Sequence, residues 1–481
     1  MEKIPSHDIT PPTVGHHTPG DTTTQEMYAK RRHIYVREIK GLFQKVRRSA
    51  NWALMMGFFL LPWLNWGDRP AVWFDLPGRE FHIFSATFYP QEFILLSWLL
   101  IICAFGLFFI TVFAGRVWCG YTCPQSVWTF LFIWLEHRIE GSRNQRIKLD
   151  NQPMTANKAW RKGAKHAAWL LIALATGVTF VGYFTPIRDL VQELPTLEAH
   201  GWSYFWVGFF LVFTYLNAGW LREQVCIYMC PYARFQSVMF DRDTLIVSYD
   251  DARGEPRGHR KKSLSHAEVR EAGLGDCIDC ELCVQVCPTG IDIRHGLQYE
   301  CIGCAACVDA CNEVMDKMEY PRGLIRYTTE HELEGKKTHW LRPRLLGYGA
   351  ALVTMIVMFI ITVGNLAQVS LDIERDRNVL YRETRAGDIE NVYIVKIFNK
   401  GQTERTYTID VSGHPALQLQ MPDNRLTVAP SRKLELPVNI HMEPGALNGA
   451  TNIPITFVVT AEDDDSVQAE AESRFMAPQV R

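Results

Sequence analysis

The sequence predicts a multi-domain membrane protein, in which a helical transmembrane region carries a cysteine-rich segment and is followed by an all-β domain. Three observations support this prediction. The chain has 481 residues, 47% of them hydrophobic, but its mean hydropathy is only -0.07, so strongly apolar stretches must alternate with polar domains. Eight of its thirteen cysteines lie between Cys277 and Cys311, and none follows Cys311. From about Glu390 onward, short apolar runs alternate with turn signals.

Residues 1–49 are predicted to form a cytoplasmic N-terminal tail. Its first part, Met1 to about Ala29, is rich in Pro, Thr, His and Gly and has no apolar core, which is typical of disorder. It lacks the features of a signal peptide. The net charge of -2 argues against a nucleic-acid partner, because phosphate binding needs a basic excess on one face.

Five apolar segments are long enough, or nearly so, to cross a hydrocarbon core of about 30 Å, which takes roughly 20 helical residues. They are residues 50–66, 93–115, 166–184, 203–220 and 346–367. The first is short and flanked by tryptophans, so it is interpreted as a span, with a re-entrant segment as the alternative. Residues 50–220 would then form a four-helix membrane region and 346–367 a fifth transmembrane helix.

The orientation follows from the lysines and arginines, which are retained on the cytoplasmic side. Residues 1–50 and 116–165 carry nine each, whereas 67–92 carry two. The N-terminus and residues 221–345 are therefore predicted to be cytoplasmic, and an odd number of spans places residues 368–481 outside. About seven short strands in this last region predict an immunoglobulin-like sandwich.

The strongest motif is a doubled cysteine run in residues 265–345. Each run has the spacing Cys-x2-Cys-x2-Cys-x3-Cys, in which three thiolates wrap one 4Fe-4S cubane and the fourth ligates the other cluster. The segment is therefore predicted to be bacterial-ferredoxin-like, and structural zinc is the alternative that four thiolates also allow. The predicted ligands are Cys277, Cys280, Cys283 and Cys311 for cluster one, and Cys301, Cys304, Cys307 and Cys287 for cluster two.

A second motif, Cys-x3-Cys-Pro, occurs twice. Cys119 and Cys123 follow the second predicted span, and Cys226 and Cys230, in the predicted cytoplasmic segment 221–264, follow the fourth. The spacing of four places both thiols on one helix face, or else makes the second cysteine an N-cap with a lowered pKa before a proline at the first helical position. If the two motifs pack together, four soft sulfurs converge, with Met229 as a candidate fifth, and soft ligands favour Cu(I). Structural cysteines and a zinc site are the alternatives.

This combination resembles the CcoG family, also called FixG or RdxA, the accessory proteins of cbb3-type cytochrome c oxidase. The resemblance covers nearly the whole chain after the tail. It rests on the five spans, both Cys-x3-Cys-Pro motifs, the eight-cysteine segment and the C-terminal domain in that order. The related quinol-dehydrogenase-type NapH and NosR proteins do not share this order fully.

The resemblance implies a bacterial inner-membrane cupric reductase, an oxidoreductase that converts Cu(II) to Cu(I) for assembly of the oxidase. The implied partners are the oxidase assembly machinery, copper carriers, membrane lipid and an unidentified electron donor, and a homo-oligomer remains open. Cys119, Cys123, Cys226 and Cys230 would hold the copper. The alternatives are a subunit that relays electrons between quinol and a partner enzyme, and a redox-sensing assembly scaffold.

Overall fold

The computed structural model describes most of the chain after the tail, namely residues 33–67, 69–260, 266–271, 273–364, 368–376, 380–384, 387–401, 403–421, 424–430, 432–447 and 449–478. The segment predicted to be disordered lies outside the described residues. The chain divides into two compact units, Met1–Phe81 with Pro90–Val357, and His82–Tyr89 with Met358–Arg481.

The first unit is mostly helical. The helices in the described residues are α1 Leu42–Leu60, α2 Phe93–Ala114, α3 Val117–Tyr121, α4 Pro124–Ile139, α5 Arg143–Asn151, α6 Ala156–Val181, α7 Ile187–Thr196, α8 Gly201–Thr214, α9 Pro231–Met239, α10 Asp251–Gly254, α11 His266–Glu271, α12 Leu282–Gln285, α13 Ala306–Lys317, α14 Glu330–Leu333 and α15 Pro343–Gly364. The strands are β1 Asn65–Trp66, β2 Arg69–Pro70, β3 Val72–Asp75, β4 Glu80–Ile83, β5 Ala86–Phe88, β6 Ile246–Tyr249, β7 Ile325–Thr328, β8 Val369–Arg375, β9 Arg382–Glu383, β10 Ile389–Asn399, β11 Arg405–Ser412, β12 Gln418–Gln420, β13 Arg425–Val428, β14 Arg432–Met442, β15 Asn452–Ala461 and β16 Gln468–Met476.

Within the described residues, four helices are long and apolar enough to cross a membrane. They correspond to the second to fifth predicted spans and are α2, α6, α8 with the π-helical turn that extends it to Leu221, and α15. Helix α6 begins at Ala156, ten residues before the predicted span at 166, because Thr155 caps its N-terminus by accepting a hydrogen bond from the Lys158 N–H.

The first predicted span is not among these four helices. Helix α1 begins at Leu42 rather than at residue 50, and its first two turns carry Lys45, Arg47 and Arg48. The helical stretch left after them, residues 49–60, spans about 18 Å at 1.5 Å per residue, well short of a hydrocarbon core of about 30 Å. The count of five spans is therefore not confirmed, and the first span stays a prediction.

Two hairpins of the same design carry the Cys-x3-Cys-Pro motifs. In the first, α2 leads through the short helix α3 into α4, which starts at Pro124. In the second, α8 and two π-helical turns, Tyr215–Leu221 and Val225–Met229, lead into α9, which starts at Pro231. A proline opens both second helices because its missing N–H has no intrahelical partner in the first turn.

The cysteine-rich segment folds around an antiparallel pair of strands, β6 and β7. Val247 and Tyr249 of β6 share a buried core with Cys277, Cys283 and residues of α13. Strand β6 lies well before residue 265, where the sequence analysis placed the start of this domain. A strand of only four residues gives little signal in the sequence, because its paired residues lie 76 (Tyr249↔Ile325) to 82 (Ile246↔Thr328) positions away.

The C-terminal unit contains two antiparallel sheets. One has the order β12-β14-β10-β8, with β9 also paired to β10, and the other has the order β13-β11-β15-β16. Tyr393 and Phe457, each 0% exposed, meet edge to face at 5.1 Å between the sheets. The predicted β-sandwich therefore folds on an apolar core that contains no cysteine.

Candidate metal centres

The two ferredoxin-like cysteine runs have the same backbone conformation. In the first, Asp279 and Glu281 have φ of 53° and 54°, and in the second, Gly303 and Ala305 have φ of 64° and 53°. Each pair flanks the middle cysteine of its run, and each second member precedes a helix, α12 or α13. Residues with positive φ turn successive backbone N–H groups toward one side, which forms a concave site for an anionic group. The duplicated spacing thus corresponds to a duplicated loop.

Each loop lines its own small pocket, and the fourth cysteine of each run lies in the pocket of the other. Cys277, Cys280, Cys283 and Cys311 line one pocket. Cys301, Cys304, Cys307 and Cys287 line the other, to which Cys283 also contributes. Both pockets have an empty volume of about 360 Å³, as two sites for one kind of group should.

The chemistry of these sites suits 4Fe-4S clusters. Burial raises the pKa of Cys283, Cys301 and Cys311 to about 12, so thiolates at these positions need a strongly positive partner. Iron in a cubane supplies that charge, and four thiolates per site supply its ligands. The eight side chains therefore fit two such clusters, which supply one-electron transfer when bound.

Two carboxylates beside the first cysteine run pair with arginines. Asp276 accepts a hydrogen bond of 2.5 Å from Arg253 Nε, and Asp279 pairs with Arg294, which also binds Asp292. The arginines therefore offset part of the negative charge that these carboxylates place beside the first pocket. The arginines are distant in sequence, and only the folded chain shows the pairing.

The second cysteine run ends differently from the first. In the first run the short helix α12 ends at Gln285, before Cys287 and Pro288, whereas α13 continues past Cys311 to Lys317. Asn312 stands in the position of the proline and accepts a hydrogen bond of 3.0 Å from the Gly323 N–H. A proline there would stop the helix from continuing. The departure from the usual motif thus lengthens a helix and leaves all four thiols in place.

Both Cys-x3-Cys-Pro motifs adopt the N-cap geometry. Cys123 is the N-cap of α4 and Cys230 that of α9, while Cys119 and Cys226 lie in the turns before them. The predicted lowering of the thiol pKa is wrong for Cys123, because burial raises its pKa despite hydrogen bonds from the Gln125 and Ser126 backbone. At this site burial has a larger effect on the thiol pKa than the helix N-terminus has.

The fold brings the four motif cysteines into one neighbourhood. Burial, reinforced by Cys123, raises the pKa of Cys119 to about 11. Burial, reinforced by Cys123 and Cys119, raises the pKa of Cys226 to about 12. Cys230 also raises the pKa of Cys119, Cys123 and Cys226. Thiols that perturb one another across the two motifs lie near one another, and all four are half-buried. Met229, the candidate fifth sulfur, is 57% exposed.

A buried ion-pair network joins the two hairpins. Glu136 of α4 is 1% exposed and binds Arg222, which precedes the second motif, through Nη2–Oε1 and Nη1–Oε2 distances of 2.6 and 3.2 Å. Arg146 of α5 pairs with the same carboxylate at 3.0 Å. Burial alone would raise the pKa of Glu136, but the arginines outweigh it and its pKa is lowered. The charged carboxylate thus fixes the second motif against the first.

The first motif also lies directly against the loop of cluster two. A Cβ atom added to Gly120 would lie 2.9 Å from both Cys304 Cα and Ile302 O, so only glycine permits this approach. Cys119 packs against the same buried group as Ile302 and Cys304. Arg116 donates hydrogen bonds to Cys301 O at 3.2 Å and to Ala233 O of α9 at 2.7 Å. The first motif and the second ferredoxin-like run therefore share an interface of backbone and cysteine atoms.

Sequence reasoning missed the residues that make this interface, namely Arg116, Gly120, Glu136, Arg222 and Gln236, which accepts a hydrogen bond of 3.4 Å from Cys119 Sγ. The glycine inside Cys119-Gly-Tyr-Thr-Cys123 was the one available signal, because a glycine in a helical turn indicates close packing.

Three further side chains place metal-ligating atoms within 4.8 Å of one another, Asp243, His331 and His339. His331 Nδ1 lies 2.7 Å from Asp243 Oδ1, a hydrogen-bond distance too short for two ligands of one metal ion with bonds of about 2 Å. Arg342 donates to Asp243 O at 2.6 Å and also binds Val112 at the end of α2. This group therefore attaches the start of α15 to α2.

Comparison with known proteins agrees with this architecture. Residues 221–330 match the 4Fe-4S dicluster domain, residues 96–140 match a 4Fe-4S binding domain, and residues 359–478 match the IG-like fold at the C-terminal of FixG. The match at residues 96–140 contains only three cysteines, fewer than one cubane needs.

Three curated relatives cover most of the chain. RdxB and RdxA from Cereibacter sphaeroides are 41% and 40% identical over 85% and 86% of this chain and 90% and 88% of their own lengths. The nitrogen fixation protein FixG from Rhizobium meliloti is 36% identical over 92% of this chain and 91% of its own length. The resemblance found in the sequence is confirmed: the chain belongs to the FixG/RdxA family, and it is an iron–sulfur protein with that family's immunoglobulin-like C-terminal domain.

Proposed function

We propose that this protein is a cupric reductase, in which Cu(II) takes up one electron from the cluster region. The resulting Cu(I) is held by Cys119, Cys123, Cys226 and Cys230. The observation that supports this most directly is the contact of Cys119 and Gly120 with the Ile302–Cys304 loop. It leaves no solvent layer between the backbone at cluster two and the first motif. The predicted ligand sets, with the crossed Cys287 and Cys311, are part of the proposal.

The four thiols suit the product better than the substrate. Thiolates are soft ligands that favour Cu(I), whereas Cu(II) prefers nitrogen and oxygen donors. The raised pKa of Cys226 means that its thiol gives up a proton when copper binds. Each copper ion therefore receives one electron, and the thiols that bind it release protons. The site would retain copper after reduction until a carrier removes it for assembly of a cbb3-type oxidase.

The test compares two double variants, Cys226→Ser with Cys230→Ser, and Cys119→Ser with Cys123→Ser. Serine preserves size but is neither soft nor readily ionised, so both variants should lose bound copper and Cu(II) reduction while keeping their iron. Cys103→Ser is the control, because Cys103 is exposed on α2 and lies outside both motifs. Copper bound and Cu(II) reduced are measured per iron-replete protein.

Wild-type values in both double variants would make these cysteines structural. Partial activity in each would indicate two independent copper sites. Copper-independent oxidation of quinol with transfer to a partner enzyme would favour the electron-relay alternative.

The proposal includes a multi-pass inner-membrane topology with the N-terminus and clusters in the cytoplasm and the C-terminal domain in the periplasm. The basic loops support this orientation. A reporter that is active only in the periplasm, fused after Arg481, should be active. If a cytoplasmic reporter were active at the same position instead, the chain would have one span fewer than proposed. The short apolar part of α1 would then be the first candidate for the segment that does not cross the membrane.

A further inference from the structure

A pocket open to solvent lies between α1, α4 and the ferredoxin-like segment. Its apolar wall includes Phe130, Ile133 and Trp134, and Cys226 of the second motif also lines it. The residues Pro288, Thr289, Ile302 and Ala306 line both this pocket and the one of cluster two. A small molecule bound in this pocket would therefore lie beside both Cys226 and the cluster region. We call it the arginine pocket, after Arg37, Arg47, Arg48 and Arg222, which line it together with two glutamates.

Three of these arginines have partners. Arg48 pairs with Glu38 at 3.3 Å, Arg222 with Glu136, and Arg37 donates a hydrogen bond of 3.5 Å to Gln285. Arg47 differs from them. It is only 7% exposed, its Nε has no hydrogen-bond partner, and its guanidinium lies 5.5 Å above the Phe130 ring. Among the described residues, no carboxylate pairs with it.

A buried guanidinium without an anion is costly, because its desolvation is uncompensated. A ligand that brings a carboxylate oxygen would form a charge-assisted, bidentate pair with it. A free Cu²⁺ ion would instead be repelled by the same charge, most strongly where the apolar wall lowers the local dielectric. The pocket is therefore suited to a ligand with negative charge.

We propose that copper enters the arginine pocket as an anionic carboxylate chelate, whose carboxylate pairs with Arg47 while the metal faces Cys226. This inference rests on the proposed cupric reductase for its copper step but not for its anion site. After reduction, the soft thiols bind Cu(I) and the hard carboxylate ligand departs. Arg47 is thus a substrate-binding residue that selects the chelate by charge.

The anion site is tested without copper by alkylation of Cys226 in the full-length, iron-replete protein. The rate with anionic iodoacetate is divided by the rate with neutral iodoacetamide, and the labelled peptide is measured by mass spectrometry. Arg47→Gln should lower this ratio roughly tenfold, the equivalent of one lost charge-assisted hydrogen bond, and Arg47→Lys should lower it less. Lys45→Gln removes the same charge from an exposed position on α1 and should leave the ratio unchanged.

The copper step is tested with two chelates of different charge, anionic Cu(II) nitrilotriacetate and neutral Cu(II) bis-glycinate. Arg47→Gln should raise KM roughly tenfold for the anionic complex and leave the neutral one unchanged. An equal change for both complexes, or none for either, would overturn the proposed selection. If the wild type reduces neither complex, the cupric reductase itself fails. An alkylation ratio that Arg47→Gln does not alter would overturn the anion site, whatever the copper results show.

Discussion

The cluster-binding segment and the paired Cys-x3-Cys-Pro site are both duplicated cysteine sites, but they are assembled in opposite ways. The eight cluster cysteines lie between Cys277 and Cys311, and their loops repeat one local backbone conformation. The four motif cysteines come from two hairpins that begin more than a hundred positions apart, and the buried pair of Glu136 and Arg222 connects them. The first site is specified by local sequence, whereas the second depends on long-range electrostatics and packing.

The largest effect should follow from breaking the local site. Because the fourth cysteines are crossed between pockets, Cys277→Ser with Cys311→Ser should remove one cluster and leave roughly four of eight iron atoms, whereas Cys307→Ser with Cys311→Ser should remove both. Iron content and the EPR signal of the reduced protein measure this. The reverse pattern would show that each run ligates its own cluster.

A smaller but still large effect is expected from the connection between hairpins. Glu136→Gln leaves Arg146 and Arg222 buried without a charged partner, which should lower the free energy of unfolding by about 3–5 kcal/mol and impair copper retention while both clusters assemble. Thermal unfolding in detergent and copper analysis measure this. Glu140→Gln is the matched control, since Glu140 is equally buried but pairs with Lys162 and Lys165 rather than Arg222. If both variants lose copper equally, general destabilisation of α4 explains the loss.

The interface between the two sites is probed by Gly120→Ala. The added methyl group would meet Cys304 Cα and Ile302 O at 2.9 Å and should cost about 1–3 kcal/mol by overpacking. The rate of copper reduction should fall by a larger factor than the amount of bound copper, because the methyl group forces the first motif away from the loop that contains Cys304. Gly57→Ala on α1 adds the same group where nothing lies within 4 Å and should be neutral or slightly stabilising. Unchanged reduction rates in Gly120→Ala would mean that electrons take another route.

The smallest effect concerns the attachment of α1 to the cluster segment. Asp309, between two cluster cysteines on α13, accepts hydrogen bonds from the Gln44 and Phe43 N–H groups at 2.8 and 3.3 Å. Its carboxylate therefore caps α1 from another part of the chain. Asp309→Ala should lower the free energy of unfolding by about 0.5–2 kcal/mol with iron retained, while Asp309→Asn should retain most of the stability. Equal losses in the two variants would contradict a capping role.

The sequence alone determined those features that depend on neighbouring residues. Four of the predicted spans correspond to long apolar helices, and alternating runs after Glu390 predicted the sandwich. The crossed ligand sets, which the repeated spacing predicts, remain a prediction. Proline after Cys123 and Cys230 indicated the helix starts. These features follow from backbone geometry and side-chain periodicity, which act over a few residues.

Tertiary structure decided the rest. The pairing of Asp279 with Arg294 and the raised pKa of Cys123 each depend on partners or burial that spacing does not encode. The same holds for the close approach of Gly120 to Cys304 and for the unpaired guanidinium of Arg47. A charge, a thiol or a missing Cβ acquires its role from what lies within a few ångströms in the folded chain. Local sequence therefore identified the candidate ligands, and the fold decided which of them lie together.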